Sequence, residues 1–260
     1  MGGAQITMSE LSSKHALISG GGSGIGAEIA RTLAHAGARV TILGRREVPL
    51  QEVASSHENI AWQKCDVTDP TSVRSAHSAA IEESGAVSFC IANAGSANAK
   101  PFMATTPEDM NSMLKVNLLG VFNLFQVCLP EMKAQSDGRL IAIASTAGLK
   151  GYQYVSAYVA AKHGVVGLCR SLSLELAQDG ITVNAICPGF IETPMLERSI
   201  DNIVEKTGMS ENDARKSLMA GNPQRRFIRA DEVAAAAVWL CSDAARSVNG
   251  HALSISGGEV

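Results

Sequence analysis

A serine, a tyrosine and a lysine occur in this chain at spacings that could support proton transfer. Tyr158 and Lys162 are four residues apart in the segment 156–163, and Ser145 lies thirteen residues before the tyrosine, behind the apolar run 140–144. If segment 156–163 is helical, the phenol and the ammonium lie on one face. A nearby cation stabilises a phenolate, so the pKa of Tyr158 should fall toward neutrality. The three side chains therefore predict acid–base chemistry on a substrate oxygen.

The pattern Tyr-x-x-x-Lys is weak evidence by itself, because short motifs recur by accident. The same residues also fit a buried tyrosine, a surface lysine and a serine at the end of a strand. The order of elements along the rest of the chain has to decide between these interpretations.

Size and composition indicate one soluble α/β domain. The chain has 260 residues, of which 46% are hydrophobic and 18% charged, and its formal net charge is −3. This balance gives no electrostatic reason to expect nucleic acid or an anionic membrane as partner. No apolar run approaches the length of a transmembrane helix and the first residues lack a secretory signal, so a cytoplasmic location is expected. Residues 1–11 are expected to be flexible.

The cysteines and histidines predict neither a disulfide framework nor a metal site. None of the six cysteines forms a C-x-x-C pair, and several fall inside apolar runs, as buried reduced thiols do. The six histidines show no spacing typical of metal ligands. Reduced thiols are therefore expected at Cys65, Cys90, Cys128, Cys169, Cys187 and Cys241.

Short apolar runs alternate with longer segments of helical period. This order predicts a single Rossmann-type domain, a doubly wound parallel sheet flanked by helices on both faces. Strands this apolar are expected to be central in the sheet. The strands are predicted at His15–Ser19, Arg39–Leu43, Ile60–Gln63, Val87–Ala92, Leu140–Ala144, Ile181–Ala185 and Ala252–Ser256. The helices are predicted at Gly24–Ala36, Val48–Ser55, Pro70–Glu83, Pro107–Ala134, Ser156–Gln178 and Ala230–Leu240.

The segment 193–229 breaks this alternation. It contains no predicted strand but two helical pieces, Met195–Lys206 and Asn212–Ala220. A long insertion at the carboxyl edge of a parallel sheet usually covers the ligand crevice. We therefore expect a helical substrate lid here, with a decorative pair of surface helices as the alternative.

A glycine-rich segment, residues 19–26, follows the first predicted strand and opens a helix. Glycines let the backbone turn tightly and approach a pyrophosphate, whose charge is received by free N–H groups at the helix N-terminus. The strand–turn–helix context is the one that a dinucleotide site requires. The predicted binding residues are Gly20, Ser23, Gly24, Ile25 and Gly26.

The end of the second strand indicates which nicotinamide cofactor binds. Gly44 leaves room there, and Arg45 and Arg46 supply cations for a ribose 2′-phosphate, whereas an Asp would accept hydrogen bonds from a 2′-hydroxyl. NADP(H) is therefore favoured. NAD(H) is the alternative if the arginine pair faces water at a helix start.

These motifs together resemble the short-chain dehydrogenase/reductase family over nearly the whole chain. The glycine loop is followed in order by Asn93-Ala94-Gly95, Ser145, Tyr158 with Lys162, and Pro188-Gly189. The resemblance implies reversible hydride transfer between a nicotinamide and a secondary alcohol or ketone. It adds further cofactor contacts at Asp66, Val67, Asn93, Ala94, Gly95, Tyr158, Lys162, Pro188, Gly189, Ile191 and Thr193.

The resemblance also implies four catalytic residues. Tyr158 would exchange the proton with the substrate oxygen, which Ser145 would orient. Lys162 would bind the nicotinamide ribose and depress the pKa of the tyrosine. Asn117 would anchor a water that links the lysine to solvent.

The lid resembles that of bacterial 3-hydroxybutyrate dehydrogenases and polyketide ketoreductases, which suggests a small β-hydroxy acid. The positions where those dehydrogenases place polar groups for the carboxylate are, however, Ala97, Ala147 and Val155. A carboxylate buried without donors costs several kcal/mol. An uncharged ketone or a 3-oxoacyl thioester is therefore expected, and a free acid such as 3-hydroxybutyrate is the alternative. The predicted pocket wall comprises Ala97, Ala147, Leu149, Val155, Phe190 and Met195.

The sequence also bears on two alternative functions and on the assembly of the protein. A catalytically silent NADP-binding subunit would usually have lost part of the catalytic set, and an isomerase would usually have a longer C-terminal substrate domain. Helices 107–134 and 156–178 are apolar on more than one face, and the resemblance implies a homotetramer that pairs them. The apolar positions are Leu114, Leu118, Val121, Phe125, Val165, Leu168, Leu172 and Leu176.

Overall fold

A seven-stranded sheet, in which each neighbouring pair is parallel, forms the centre of the protein. The structure, a computed structural model, describes residues 11–260. The strands are β1 (His15–Ser19), β2 (Arg39–Gly44), β3 (Ile60–Lys64), β4 (Phe89–Ala92), β5 (Gly138–Ile143), β6 (Ile181–Pro188) and β7 (Ala252–Ile255). Their order, β3-β2-β1-β4-β5-β6-β7, reverses direction at β1, so the crevice between the carboxyl ends of β1 and β4 is the switch point of a Rossmann-type fold. The predicted fold class is confirmed.

Helices cover both faces of the sheet. They are α1 (Gly24–His35), α2 (Glu47–Ala54), α3 (Pro70–Ser84), α4 (Pro107–Leu114), α5 (Gly120–Gln135), α6 (Ser156–Glu175), α7 (Pro194–Thr207), α8 (Glu211–Met219) and α9 (Ala230–Cys241). Apolar residues of α1 and α9 pack on one face in one core cluster, and those of α3, α5 and α6 pack on the other face in a second. The start of α4 is fixed by a capping box between Thr106 and Asp109, with Pro107 in the first turn. All six cysteines are free and buried, as predicted.

Two expectations about these elements were wrong in part, and a third concerns residues that are mostly outside the described part of the chain. Not every strand is central, because β3 and β7 form the two edges and every residue of β7 is only half-buried. The predicted helix 107–134 is interrupted by a π-helical segment, Lys115–Leu119, between α4 and α5. The predicted flexibility of residues 1–11 falls outside the described residues except at Leu11, which is 2% exposed and packs in the core.

Several of the apolar residues on α5 and α6 that were expected to pair with a partner subunit are buried in the core of the chain instead. Val121, Phe125, Val165 and Leu176 are buried inside the chain itself, because α5 and α6 bury these sides against the sheet. They are therefore unavailable to a partner. The exposed large hydrophobic residues on these helices and on the π-helical segment are Leu119, Phe122 and Leu174.

Taken together, α4, the π-helical segment and α5 (Pro107–Gln135) are long and apolar enough to cross a membrane, by length and composition only, and 39% of the most apolar window is buried. The sequence had been expected to contain no such run, because scattered polar residues interrupt it. Five side chains of α5 nevertheless lie in the core on the second face of the sheet. They are Val121, Leu124, Phe125, Cys128 and Met132. A helix that packs in a protein core can meet the same criteria of length and composition.

Helices α7 and α8 form most of the segment predicted as a lid. They share a small apolar core with Phe227 and are joined to the end of β6 by a parallel bridge between Ile191 and Ile228. The Lys206 side chain, on α7, donates a hydrogen bond of 3.0 Å to the carbonyl of Ala99 in the loop after β4. The lid segment is therefore tied to both sides of the crevice.

Candidate active site

The glycine loop between β1 and α1 forms a cradle that larger residues would fill. Gly20 and Gly24 have φ of +68° and +55°, the left-handed region that glycine adopts without cost. A Cβ at Gly26 would lie 2.4 Å from both the Asn93 amide nitrogen and the Gly20 oxygen. Ser23 precedes α1 without making a side-chain cap, which leaves the first-turn N–H groups of the helix for a pyrophosphate. The cradle therefore fits a dinucleotide.

The ends of β1 and β4 are held together at the switch point by Ser19 and Asn93. The Ser19 hydroxyl accepts hydrogen bonds from the N–H groups of Asn93 and Ala94, both at 3.1 Å. The Asn93 amide donates to the carbonyls of Ser19 at 3.0 Å and Gly20 at 3.1 Å. A Cβ at Gly95 would be 2.9 Å from the Asn117 oxygen and 3.7 Å from the Lys162 ammonium, so this loop lies against two of the predicted catalytic residues.

Of the two arginines predicted to select the cofactor, Arg45 acts electrostatically on Asp66. Arg45 and Arg46 are exposed, and neither forms an ion pair within residues 11–260. The Thr68 N–H donates to the Asp66 carboxylate at 2.9 Å and lowers its pKa, and the Arg45 guanidinium lowers it further. The Arg45 charge therefore lies near Asp66, a residue predicted to contact the cofactor.

The predicted catalytic residues come together at the carboxyl end of β5. Ser145 follows that strand, while Tyr158 and Lys162 extend from the first two turns of α6. The Lys162 ammonium lies 5.7 Å from the centroid of the Tyr158 ring and donates a hydrogen bond of 2.8 Å to the Ile143 carbonyl. The predicted i,i+4 geometry is present, because both side chains occupy one face of the helix.

The pKa of Tyr158 moves in the opposite direction from the sequence expectation. Burial raises it above its usual value, and the neighbouring Ser145 hydroxyl opposes the rise. Burial lowers the pKa of Lys162 from 10.5 to about 8, since only 3% of this residue is exposed. The expectation considered the cation alone, whereas desolvation of the phenolate has the larger effect here.

Asn117 lies within the π-helical segment and is completely buried. Its amide donates to the carbonyls of Ser96 at 2.9 Å and Met113 at 3.0 Å, and its oxygen accepts from the Ser96 N–H at 3.2 Å. The side chain thus connects the helix to the loop that carries Gly95. π-Helical turns are often found at functional sites, and here the turn aims an amide at the crevice.

The residues predicted to form the substrate wall differ in burial. Ala147 is 3% exposed, Ala97 is exposed, and the other four are half-buried. Val155 lines a small cleft together with Tyr154 and the ion pair between Lys100 and Asp109, which are 2.6 Å apart. The surroundings of the wall are therefore more polar than the wall residues themselves.

Four polar residues beside the catalytic loop were missed by the sequence analysis. The Tyr152 hydroxyl is 2.6 Å from both the Thr146 hydroxyl and the Glu259 carboxylate, and Lys150 forms an ion pair with Glu259 at 3.0 Å. The Tyr152 ring contacts the Phe190 ring edge-on, with centroids 6.3 Å apart. Glu259 is the next-to-last residue and lies 107 positions from Tyr152, so no local spacing could have indicated the pair.

A nicotinamide dinucleotide cradle, followed along the same crevice by a serine, a tyrosine and a lysine, defines an oxidoreductase that moves hydride and proton together. The chain belongs to the short-chain dehydrogenase/reductase family. Residues 20–259 match the family model described as enoyl-(acyl carrier protein) reductase.

Dehydrogenases and ketoacyl reductases both occur among the relatives. The D-beta-hydroxybutyrate dehydrogenase of Rhizobium meliloti (strain 1021) is 34% identical over 252 residues, which cover 94% of this chain and 98% of the relative. Granaticin polyketide synthase putative ketoacyl reductase 1 of Streptomyces violaceoruber is 38% identical over 249 residues, covering 94% and 92%. A crystal structure of a substituted actinorhodin polyketide ketoreductase with NADPH superimposes with a TM-score of 0.91 at 34% identity, covering 95% of this chain and 97% of that one.

Proposed function

We propose that this protein is an NADP(H)-dependent reductase of uncharged ketones or 3-oxoacyl thioesters, which also oxidises the corresponding secondary alcohols. The observation that carries the proposal is the grouping of Ser145, Tyr158 and Lys162 beside the cradle for the cofactor. The cofactor supplies or accepts the hydride. Residues of the chain orient the substrate and transfer the proton.

Tyr158 acts as the general acid in reduction. Because burial raises its pKa, the phenol keeps its proton at neutral pH and can give it to the carbonyl oxygen. Ser145 orients that oxygen, and the N–H of Ala147 holds the serine hydroxyl at 3.0 Å. Lys162, with a pKa lowered to about 8, can exchange protons with solvent near neutrality and so restore the tyrosine.

The preference for NADP(H) rests on Arg45 and Arg46, which carry no internal ion pair within residues 11–260, and on Gly44. A 2′-phosphate would gain charge-assisted contacts from these guanidinium groups. The crystallised ketoreductase relative contains NADPH, which agrees with this assignment. The test is kcat/KM with each cofactor for the wild type and for Gly44→Asp with Arg45→Ala, which should reverse the order. A wild type that prefers NAD by about tenfold contradicts the role of Arg45.

The preference for an uncharged substrate rests on the absence of a free cation at the described wall. Two cations of the lid segment could in principle receive a carboxylate, but the Lys206 ammonium is engaged by the Ala99 carbonyl and Arg198 is exposed. The alternative, a small free hydroxy acid, is favoured by the name of the relative from Rhizobium meliloti. Comparing kcat/KM for acetoacetate with that for its ethyl ester decides between them. A free acid that matches its ester contradicts the proposal.

A catalytically silent subunit is the second candidate function. It would bind NADPH and consume none of it with any member of a ketone panel. The complete catalytic set in one crevice argues against it, since Ser145, Asn117, Tyr158 and Lys162 all keep the contacts that acid–base catalysis needs. Spectrophotometric NADPH consumption with the same panel separates the two.

The assembly proposed for the protein is a homotetramer in the cytoplasm, with neither nucleic acid nor membrane as partner. The exposed apolar residues Leu119, Phe122 and Leu174 lie on or beside α5 and α6 and form the surface for pairing. Part of the wide apolar surface of the helix 107–135 would be covered by that pairing. Light scattering at micromolar concentration tests the proposal, because a monomeric mass contradicts it.

A further inference from the structure

The carboxyl-terminal tail carries a buried carboxylate to the edge of the active site. Only 3% of the Glu259 side chain is exposed, and its Oε1 atom accepts hydrogen bonds from Tyr152 at 2.6 Å and Lys150 at 3.0 Å. The tail reaches this position through Gly257 and Gly258, whose φ values of +64° and +94° are costly for other residues.

Two glycines lie against the Glu259 carboxylate, where a side chain would crowd it. A Cβ at Gly221, which ends the lid helices, would be 2.8 Å from Oε1, and a Cβ at Gly189, beside the end of β6, would be 3.2 Å from Oε2. Oε2 receives no hydrogen bond from any residue between 11 and 260. Oε1 thus binds Tyr152 and Lys150, whereas Oε2 faces Gly189.

Tyr152 connects this carboxylate to the catalytic loop and to the predicted substrate wall. The Tyr152 that holds it also contacts Phe190 of the predicted wall, and its hydroxyl bonds Thr146, the neighbour of Ser145. The counter-cation Lys150 has 36% of its side chain exposed, against 3% for Glu259. Water therefore screens the charge of the lysine more than that of the carboxylate, so the pair is not fully neutral on its buried side.

We propose that Glu259 determines the charge selectivity of the substrate site by repelling substrates that carry a free carboxylate. The inference rests on the proposed reduction of ketones and supplies a cause for the expected preference for neutral substrates. Like charges brought together out of water oppose binding strongly, and a neutral ester or thioester escapes this penalty. Glu259 is thus a specificity-determining residue that the apolar wall residues do not reveal.

The test compares kcat/KM for acetoacetate and its ethyl ester in three variants. Glu259→Gln keeps an oxygen for Tyr152 and Lys150 but removes the charge, so the acid-to-ester ratio should rise by at least about tenfold while activity on the ester stays nearly unchanged. Lys150→Met removes the counter-cation and should shift the ratio in the opposite direction. Glu205→Gln removes one negative charge from an exposed position on α7 and serves as the matched control, with an unchanged ratio.

Each other outcome has a definite meaning. An unchanged ratio in Glu259→Gln, an equal rise in Glu205→Gln, or shifts of the same sign in Glu259→Gln and Lys150→Met would overturn the charge proposal while ketone reduction stands. Loss of activity on the ester in Glu259→Gln, with NADPH affinity retained, would overturn it in favour of a structural role for the tail. A wild type inactive on both substrates would instead remove the proposed function on which the inference depends.

Discussion

Replacing Asn117 by alanine tests whether its side chain holds the crevice together. The change removes three hydrogen bonds, two to Ser96 and one to Met113, from a fully buried position in the π-helical segment. A hydrogen bond contributes roughly 1 kcal/mol net, so three amount to about 3 kcal/mol. The higher helix propensity of alanine returns about 0.5 kcal/mol, and we expect a net loss of about 2 to 3 kcal/mol.

Urea unfolding followed by the fluorescence of Trp62 and Trp239 measures this loss. The matched control is Asn123→Ala in α5, because the Asn123 amide makes a single hydrogen bond of 2.9 Å, to the Val67 carbonyl. The control should lose only about 1 kcal/mol. Asn117→Ala should also lower kcat/KM, because the loop that carries Gly95 and Ser96 loses its anchor.

The two measurements together can refute this reasoning. If Asn117→Ala is no less stable than Asn123→Ala, the three contacts do not hold the loop. If turnover falls several hundredfold at that unchanged stability, the residue acts on the proton path, as the family resemblance implies, and positioning is not its main role.

Three further predictions concern the acid, its neighbouring cation and the assembly. Tyr158→Phe should lower kcat by about a few hundredfold or more with NADPH affinity and thermal midpoint unchanged, and retention of over about a tenth of turnover contradicts its role as the acid. Because burial lowers the pKa of Lys162 from 10.5 to about 8, the unfolded chain binds more protons than the folded chain between these values, and stability from this site rises with pH there. The unfolding free energy of the wild type relative to Lys162→Met should therefore rise by about 3 kcal/mol across that window, and a difference that is independent of pH contradicts the buried charge. Phe122→Glu, at a residue 42% exposed on α5, should reduce the mass found by light scattering, whereas Met103→Glu, at a residue 97% exposed in a short 3₁₀ helix outside α5 and α6, should not.

Local patterns were sufficient for the elements and for the catalytic face of α6. Apolar runs and Gly or Pro ends placed the seven strands and the ends of the predicted helices within a few residues, and the i,i+4 spacing placed Tyr158 and Lys162 on one face. The π-helical segment could not be predicted, because it depends on contacts between Asn117 and a loop twenty-one residues away. The direction of the Tyr158 pKa could not be predicted either, because burial is a property of the folded chain.

The character of the substrate wall shows where sequence reasoning reaches its limit. The apolar types of Ala97, Ala147 and Val155 indicated a neutral substrate because no donor for a carboxylate was visible among them. The fold adds Glu259 from the far end of the chain, beside Tyr152, and so places a negative charge where only small apolar residues had been counted. The lack of a hydrogen-bond donor makes the carboxylate of a substrate costly to bury, whereas the carboxylate of Glu259 repels that of the substrate through space. Both causes predict a preference for the ester, but they predict different responses to Glu259→Gln. Only if Glu259 repels the substrate does this single substitution allow the free acid to bind.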